Sequence, residues 1–139
     1  KVDFDENTKF EVPFGEHTIF GFFDGLNKEK GQLLEIKTSS SLWGVKKFKD
    51  SIQRKIYGWA MPELKEAILI TSARNPEEWK FQPPKAIRVP FTDEDREEAE
   101  AWIGGAIEKI KAGDFTGDLV DGRCIDPRCF WGDSCMFKR

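Results

Sequence analysis

The sequence contains no apolar run that approaches the roughly 20 residues needed to cross a bilayer. It also lacks an initial methionine and a signal-peptide pattern, so we expect a processed or excised piece of something longer. At 139 residues, of which 39% are hydrophobic and 34% charged, the chain has the size and composition of one ordinary domain. We therefore expect a cytoplasmic protein with a single core and no membrane partner.

An excess of positive charge is missing as well. The formal net charge is -3 and the pI is about 5.3, whereas domains that hold nucleic acid by bulk electrostatics are usually strongly basic. One stretch departs from this balance and contains Lys46, Lys47, Lys49, Arg54 and Lys55. This stretch is either a solvated helix face or a track for phosphate groups.

Cysteine is absent from the chain until Cys124, and the remaining two thiols are Cys129 and Cys135. An odd number of thiols cannot pair completely as disulfides, and nothing else in the sequence indicates a secreted scaffold. A thiolate-ligated iron–sulfur cluster or zinc ion fits better, and both usually require four ligands; the alternative is a tail whose thiols bind no metal. The fourth ligand would come from outside this chain, or from Asp126, Asp133 or His17.

Two carboxylates and a lysine lie at the ends of two predicted strands. Asp24 ends the apolar run TIFGFF, and the run LLEIK carries Glu35 and Lys37. The two-residue period of a strand places Glu35 and Lys37 on one face and turns Ile36 toward the opposite, buried face. A hairpin through residues 25–31 would bring Asp24 beside Glu35. Two carboxylates next to a lysine suit a hard divalent cation.

A helix is predicted over residues 42–61, with an apolar stripe formed by Trp43, Phe48, Ile52, Ile56 and Trp59. Gln53 and Tyr57 are four residues apart and are therefore neighbours on the surface of this helix. Taken alone, the pair indicates no more than structural filler.

The remaining elements predict an α/β fold with a mixed central sheet flanked by helices. Strands are expected over residues 9–14, 67–72 and 86–91, and Thr92 followed by acidic residues predicts the start of a long helix. Glu11, opposite the apolar row of the first strand, is either an exposed strand residue or a further group facing the cleft of Asp24. The packed face of the long helix is expected to consist of Trp102, Ala106, Ile107 and Ile110.

The ordered motifs GFFDG, LLEIKTS and Q-x3-Y resemble the PD-(D/E)XK nuclease superfamily, in particular its RecB-like exonuclease branch. The motifs cover residues 9–57. The cysteine triplet resembles that of the iron–sulfur-containing nuclease subset, including CRISPR-associated and helicase-linked members, with one cysteine before the nuclease core and three after it. The resemblance implies a restriction-endonuclease-like core over residues 1–115 that lacks its N-terminal helix. It also implies a [4Fe–4S] segment over residues 116–139, completed from outside this chain.

By the same resemblance, the protein is a Mg²⁺- or Mn²⁺-dependent DNA exonuclease that acts on single strands or duplex ends. Asp24, Glu35 and the backbone carbonyl of Ile36 would bind one or two ions. Lys37 would position the metal-activated water and stabilise charge on the phosphate, and Gln53 and Tyr57 would line the DNA-facing side. The alternative is a non-catalytic DNA-binding or scaffold module, part of a larger polypeptide or of a helicase–nuclease or recombination complex.

Overall fold

A mixed β-sheet, described for residues 4–75 and 80–114 by a computed structural model, forms the centre of the fold. In that part of the chain it has six strands: β1 (Asp5–Phe14), β2 (His17–Asn27), β3 (Gln32–Ser39), β4 (Glu66–Asn75), β5 (Lys80–Phe81) and β6 (Lys85–Pro90). The strand order is β1-β2-β3-β4-β5, and β6 also pairs with β4. The predicted α/β class with a mixed sheet flanked by helices is confirmed.

The parallel pairing of β3 with β4 fixes the place of the first helices. Every other described strand pair is antiparallel, and Glu35 lies opposite Leu69 and Lys37 opposite Thr71. Parallel neighbours require a crossover connection, because the chain must return to the same end of the sheet. Here that crossover contains α1 (Val45–Lys49) and α2 (Ile52–Ala60).

The single helix predicted over residues 42–61 is wrong, because the chain breaks between α1 and α2. Asp50 ends α1, and Ser51, in an extended conformation, is the N-cap residue of α2. Aspartate and serine favour such positions because their side chains compete with the helical hydrogen bonds of the backbone. The predicted apolar stripe also differs, since Arg54, Tyr57 and Gly58 are the buried residues of α2.

Arg54 is buried among hydrogen-bond acceptors from three other segments. Its Nη2 donates to Asp95 Oδ1 at 2.6 Å and to the carbonyl of Lys49 at 2.7 Å. Its Nη1 donates to the carbonyl of Pro90 at 3.4 Å. The guanidinium carbon lies over the Phe91 ring, 5.3 Å from the ring centre. Arg54 therefore belongs to neither a solvated face nor a phosphate track.

The long helix α3 (Asp93–Lys111) begins as the sequence predicts. The Asp95 N–H donates to Thr92 Oγ1 and the Thr92 N–H donates to Asp95 Oδ2, both at 3.2 Å, so two backbone donors are satisfied reciprocally. The predicted packed face is wrong: Ala99 and Ile103 are buried, whereas Trp102 and Ile110 are exposed. Among the described residues, no helix is long and apolar enough to span a membrane.

The chain forms two compact units, Lys1–Trp102 and Ile103–Arg139, and the described part of the second is the remainder of α3 with residues 112–114. The first unit contains the sheet, α1 and α2. Its core places three rings together, with Phe10 and Phe23 5.0 Å apart and Phe23 and Tyr57 also 5.0 Å apart between ring centres. The ring of Phe10 covers Gly21, where a Cβ atom would lie 2.7 Å from ring carbons.

Replacing Asp95 with asparagine should lower the free energy of unfolding by roughly 3 kcal/mol at neutral pH, because it leaves the buried Arg54 charge without its anion. Burial alone would raise the pKa of Asp95, but the hydrogen bond and charge of Arg54, with the Thr92 bonds, hold that pKa below its ordinary value. A lowered pKa stabilises the fold fully above about pH 4, the ordinary aspartate value, and the contribution is lost as the pH falls through the folded-state pKa.

Urea unfolding followed by tryptophan fluorescence at about pH 7 and about pH 3 measures this difference. The gap between wild type and Asp95→Asn should shrink in acid. Asp93→Asn is the matched control in the same helical turn, because Asp93 is almost fully exposed and its pairing with Arg96 is worth less than about 1 kcal/mol. A difference in unfolding free energy between wild type and Asp95→Asn that stays the same at both pH values would contradict this account of Asp95.

Replacing Gly58 with alanine should destabilise the protein by about 1–3 kcal/mol, although alanine is the better helix former. A Cβ at Gly58 would lie 2.4 Å from Cδ1 of the buried Phe91. Gly105→Ala is the control, since it lies in α3 with no atom within 4 Å of the added Cβ, and it should stabilise the helix by up to about 1 kcal/mol. Equal stabilities for the two variants would contradict close packing of α2 on Phe91.

Candidate functional site

Asp24 lies on β2 just before the residues that pair through the backbone with β3. Residues 25–27 of β2 pair through the backbone with residues 32–34 of β3. One residue before this pairing, Asp24 Oδ2 accepts a hydrogen bond of 2.8 Å from the Ile36 N–H. Here the Asp24 carboxylate, rather than a backbone carbonyl of β2, accepts the hydrogen bond from β3. The predicted hairpin therefore does bring Asp24 to the part of β3 that carries Glu35.

Glu35 is a carboxylate inside the protein, with only 3% of its surface exposed. Its Oε1 forms an ion pair with Lys37 Nζ, and its Oε2 is buried without a hydrogen-bond partner among the described residues. Burial raises the pKa of Glu35, the hydrogen bond and charge of Lys37 oppose this rise, and the charge of Asp24 adds to it. Ile36, expected on the buried face, is 53% exposed, so the face that carries the charged pair is the one that packs against the helices.

A chain of hydrogen bonds runs from Lys37 through α2 to β2. Lys37 Nζ donates to Gln53 Oε1 at 2.8 Å, and Gln53 Nε2 donates to the Tyr57 hydroxyl at 2.7 Å. The Tyr57 hydroxyl in turn donates to the carbonyl of Phe22 at 3.0 Å. Gln53 connects the Lys37 ammonium to Tyr57, and Tyr57 connects it to β2, so the position of the ammonium depends on both the helix and the strand.

Tyr57 combines this polar role with an apolar one. Its ring packs edge-on against Phe10 and Phe23, with centres 5.9 and 5.0 Å away. Burial raises the pKa of the Tyr57 hydroxyl, the hydrogen bond from Gln53 lowers it, and the charges of Glu35 and Asp24 raise it. At neutral pH the hydroxyl is therefore protonated and available as a donor to Phe22.

The donor atoms at this site fit a divalent cation with oxygen ligands. In the described part of the chain, no group of three or more His, Cys, Asp or Glu residues could hold a metal by itself. Magnesium, however, needs only one or two carboxylates and keeps several waters. The observation that favours such an ion is Glu35 Oε2, because a buried carboxylate oxygen without a donor is costly unless a positive group reaches it.

The structure brings together five of the residues that the sequence indicated, namely Asp24, Glu35, Lys37, Gln53 and Tyr57. Glu11 is not among them: it is exposed on β1 opposite Phe20, four positions before Asp24 on β2, and it pairs with Lys9. His17 begins β2 opposite Phe14. The proposed cluster ligands Cys124, Cys129 and Cys135 lie outside the described residues, and their site stays a prediction.

Three further groups at the site were not predicted from the sequence. Phe48 and Ser51 line the same pocket as Glu35 and Lys37, and the Phe22 carbonyl anchors Tyr57. Helical periodicity marks Phe48 as a packing residue, but it predicts one continuous helix and does not indicate that Ser51 lines the pocket. A backbone carbonyl has no signal in a sequence at all.

No protein-family model and no curated protein match the chain. Solved structures with a similar fold include the protein SSO0001, at a TM-score of 0.62 and 22% identity, covering 98% of this chain and 61% of that one. They also include a protein from Eubacterium rectale designated a candidate exonuclease, at a TM-score of 0.57 and 16% identity, covering 97% of this chain and 52% of that one.

This chain therefore spans between about half and three fifths of the solved chains that it resembles. At such low identities the likeness concerns the fold and not the residues of the site. This chain has an α/β fold with a mixed sheet flanked by helices, and it shares this fold with a longer protein that is designated a candidate exonuclease.

Proposed function

We propose that Asp24, Glu35 and Lys37 form the centre of a phosphodiesterase that hydrolyses DNA with the help of Mg²⁺ or Mn²⁺, and that it acts as an exonuclease. The observation that carries the proposal is Glu35, a buried carboxylate with one oxygen held by Lys37 and the other without a partner among the described residues. A carboxylate kept in this costly state is typical of a functional site and adds nothing obvious to the packing.

The ligands of the ion would be Asp24, Glu35 and the backbone carbonyl of Ile36. A bound divalent cation would supply positive charge for the phosphate oxygens and lower the pKa of a bound water. Asp24 is exposed and already holds the Ile36 N–H, so its side chain has a fixed position at the open side of the site. This donor set contains only oxygen, which matches magnesium and manganese better than softer metals.

Lys37 would act on the phosphate through its ammonium group. Glu35 and Gln53 hold this group from two sides, so it would need little reorganisation to meet the negative charge that develops on the phosphate oxygens. Gln53 and Tyr57 would act as positioning residues, because they reach Lys37 and Phe22 and need not touch the substrate.

Water would be the nucleophile. It would add to phosphorus, the bond from phosphorus to the leaving oxygen would break, and a proton would pass to that oxygen. The shared fold with a candidate exonuclease agrees with this reaction class.

Replacing Glu35 with glutamine or Lys37 with alanine should reduce Mn²⁺-dependent degradation of single-stranded and duplex DNA by roughly 100-fold or more. The two variants should differ in cation binding. Calorimetry with Mn²⁺ alone should show weaker binding to Glu35→Gln, which loses a charged ligand, and retained binding to Lys37→Ala, which loses only a neighbouring positive charge.

Glu29→Gln and Lys30→Ala are the matched controls, because both residues are exposed in the turn between β2 and β3. They should cleave DNA like the wild type. Equal activity in all five proteins would end the proposal. A wild type that binds no Mn²⁺ and cleaves no DNA would instead favour the non-catalytic DNA-binding module.

Replacing Tyr57 with phenylalanine should slow cleavage roughly ten- to hundred-fold with little change in KM, because Gln53 loses its partner and no longer fixes Lys37. The substitution keeps the ring contacts with Phe10 and Phe23, so the melting temperature should change little. Mn²⁺ binding should also be unchanged. Loss of Mn²⁺ binding, or an unchanged rate, would show that Tyr57 does not position the ammonium.

A further inference from the structure

Positive charge is concentrated in one stretch of this acidic chain. Residues 36–62 contain six lysines and arginines and one aspartate, out of 22 basic and 25 acidic residues in the whole chain. The other residues therefore carry 16 basic and 24 acidic side chains. Such segregation produces a local positive potential even though the net charge is -3.

The structure divides these six basic residues into two groups. Arg54 is buried with Asp95, Lys55 is paired with Glu98, and Lys37 belongs to the candidate site. The other three, all exposed, are on α1: Lys46, Lys47 and Lys49. We call these three residues the α1 lysine surface.

The exposed lysines have weak internal partners. Lys46 forms an ion pair of 3.1 Å with Asp50, but 93% of the Lys46 side chain is exposed, so this pair contributes little. Lys47 Nζ lies 4.4 Å from the centre of the Trp43 ring, which holds the ammonium over the aromatic face without neutralising it. Binding an external anion would therefore break no strong contact.

The α1 lysine surface lies beside the candidate site. The Trp43 N–H donates to Thr71 Oγ1 at 3.3 Å, and Thr71 is the β4 residue opposite Lys37. At the other end of α1, Phe48 is buried in the pocket that Glu35 also lines. Because Phe48 faces the pocket, Lys46 lies on the opposite side of the same short helix and Lys47 and Lys49 lie on its two flanks, and all three are exposed.

The end of α1 is fixed as firmly as its beginning. The Lys49 carbonyl accepts hydrogen bonds from Arg54 Nη2 at 2.7 Å and Nε at 3.2 Å. Arg54 is itself buried, so the helix has a defined position although it is only five residues long. Three cations at a defined place next to a hydrolytic centre suit a repeating anion.

We propose that the α1 lysine surface binds the phosphate backbone of the DNA strand that enters the candidate site. The proposal rests on the proposed function, whose substrate is a polymer of phosphodiesters, and adds where that polymer lies. Each lysine that contacts a phosphate releases counterions, so binding through this surface should depend steeply on salt.

The triple variant Lys46→Gln, Lys47→Gln, Lys49→Gln should bind DNA roughly ten- to hundred-fold more weakly than the wild type at low salt. The slope of log K against log salt should also become shallower by roughly 2 for single strands. Fluorescence anisotropy with a labelled thymidine oligonucleotide and with a duplex of the same length measures both quantities. EDTA in the buffer prevents cleavage, so the readout does not depend on catalysis.

The matched control is the triple variant Lys28→Gln, Lys30→Gln, Lys65→Gln, which changes the charge by the same amount. These exposed lysines lie at the beginning of β3 and β4, where the Lys65 N–H bonds to the carbonyl of Gly31. The length of β3 separates them from α1, which follows the other end of that strand. The control should bind DNA nearly as well as the wild type.

Equal weakening in the two triple variants would overturn the proposal, because it would mean that only total charge matters. An unaffected α1 variant, or a wild type that binds neither DNA, would overturn it as well. If the wild type binds DNA through α1 but cleaves none with Mn²⁺, the proposed function fails and the binding surface stands.

Discussion

Arg54 places a full positive charge between the end of α1, the end of β6 and the start of α3. Removing such a charge from water costs several kcal/mol, and only good geometry with an anion and further acceptors offsets this cost. The acceptors come from Lys49, Pro90 and Asp95, which belong to three different elements. All three elements must therefore be in place before Arg54 can be buried, and this requirement selects one arrangement of the helices over others.

The same helix links this packing to the candidate site. Gln53 precedes Arg54 directly, and Tyr57 follows one turn later, so fixing Arg54 also fixes the height and rotation of both polar groups. Tyr57 then ties α2 to β2 through the Phe22 carbonyl, next to the segment that carries Asp24. Asp24 and Glu35 lie on the sheet and Gln53 and Tyr57 lie on α2, and the buried Arg54 guanidinium helps to hold this helix in place.

Sequence patterns predict well what depends on neighbours along the chain. The alternation around Glu35 and Lys37 places both on one face, and the Thr92 cap marks the start of α3, because strand period and capping act over a few residues. Which face is covered is a different matter. Nothing local distinguishes an exposed Ile36 from a buried Glu35, because the helices that cover one face lie later in the chain. Likewise Arg54 looks like a surface cation until its partner, 41 residues away, is known.

Gly21 is not a residue of the candidate site, yet its packing bears on the position of the Lys37 ammonium. Its missing side chain lets the Phe10 ring lie flat on β2 and reach Phe23 and Tyr57. The Tyr57 hydroxyl, at the far side of that ring cluster, holds the amide of Gln53, which holds Lys37. Substitutions at Gly21 are therefore limited by the packing of Phe10 against Tyr57, and through Tyr57 by the hydrogen bonds that hold Gln53 and Lys37.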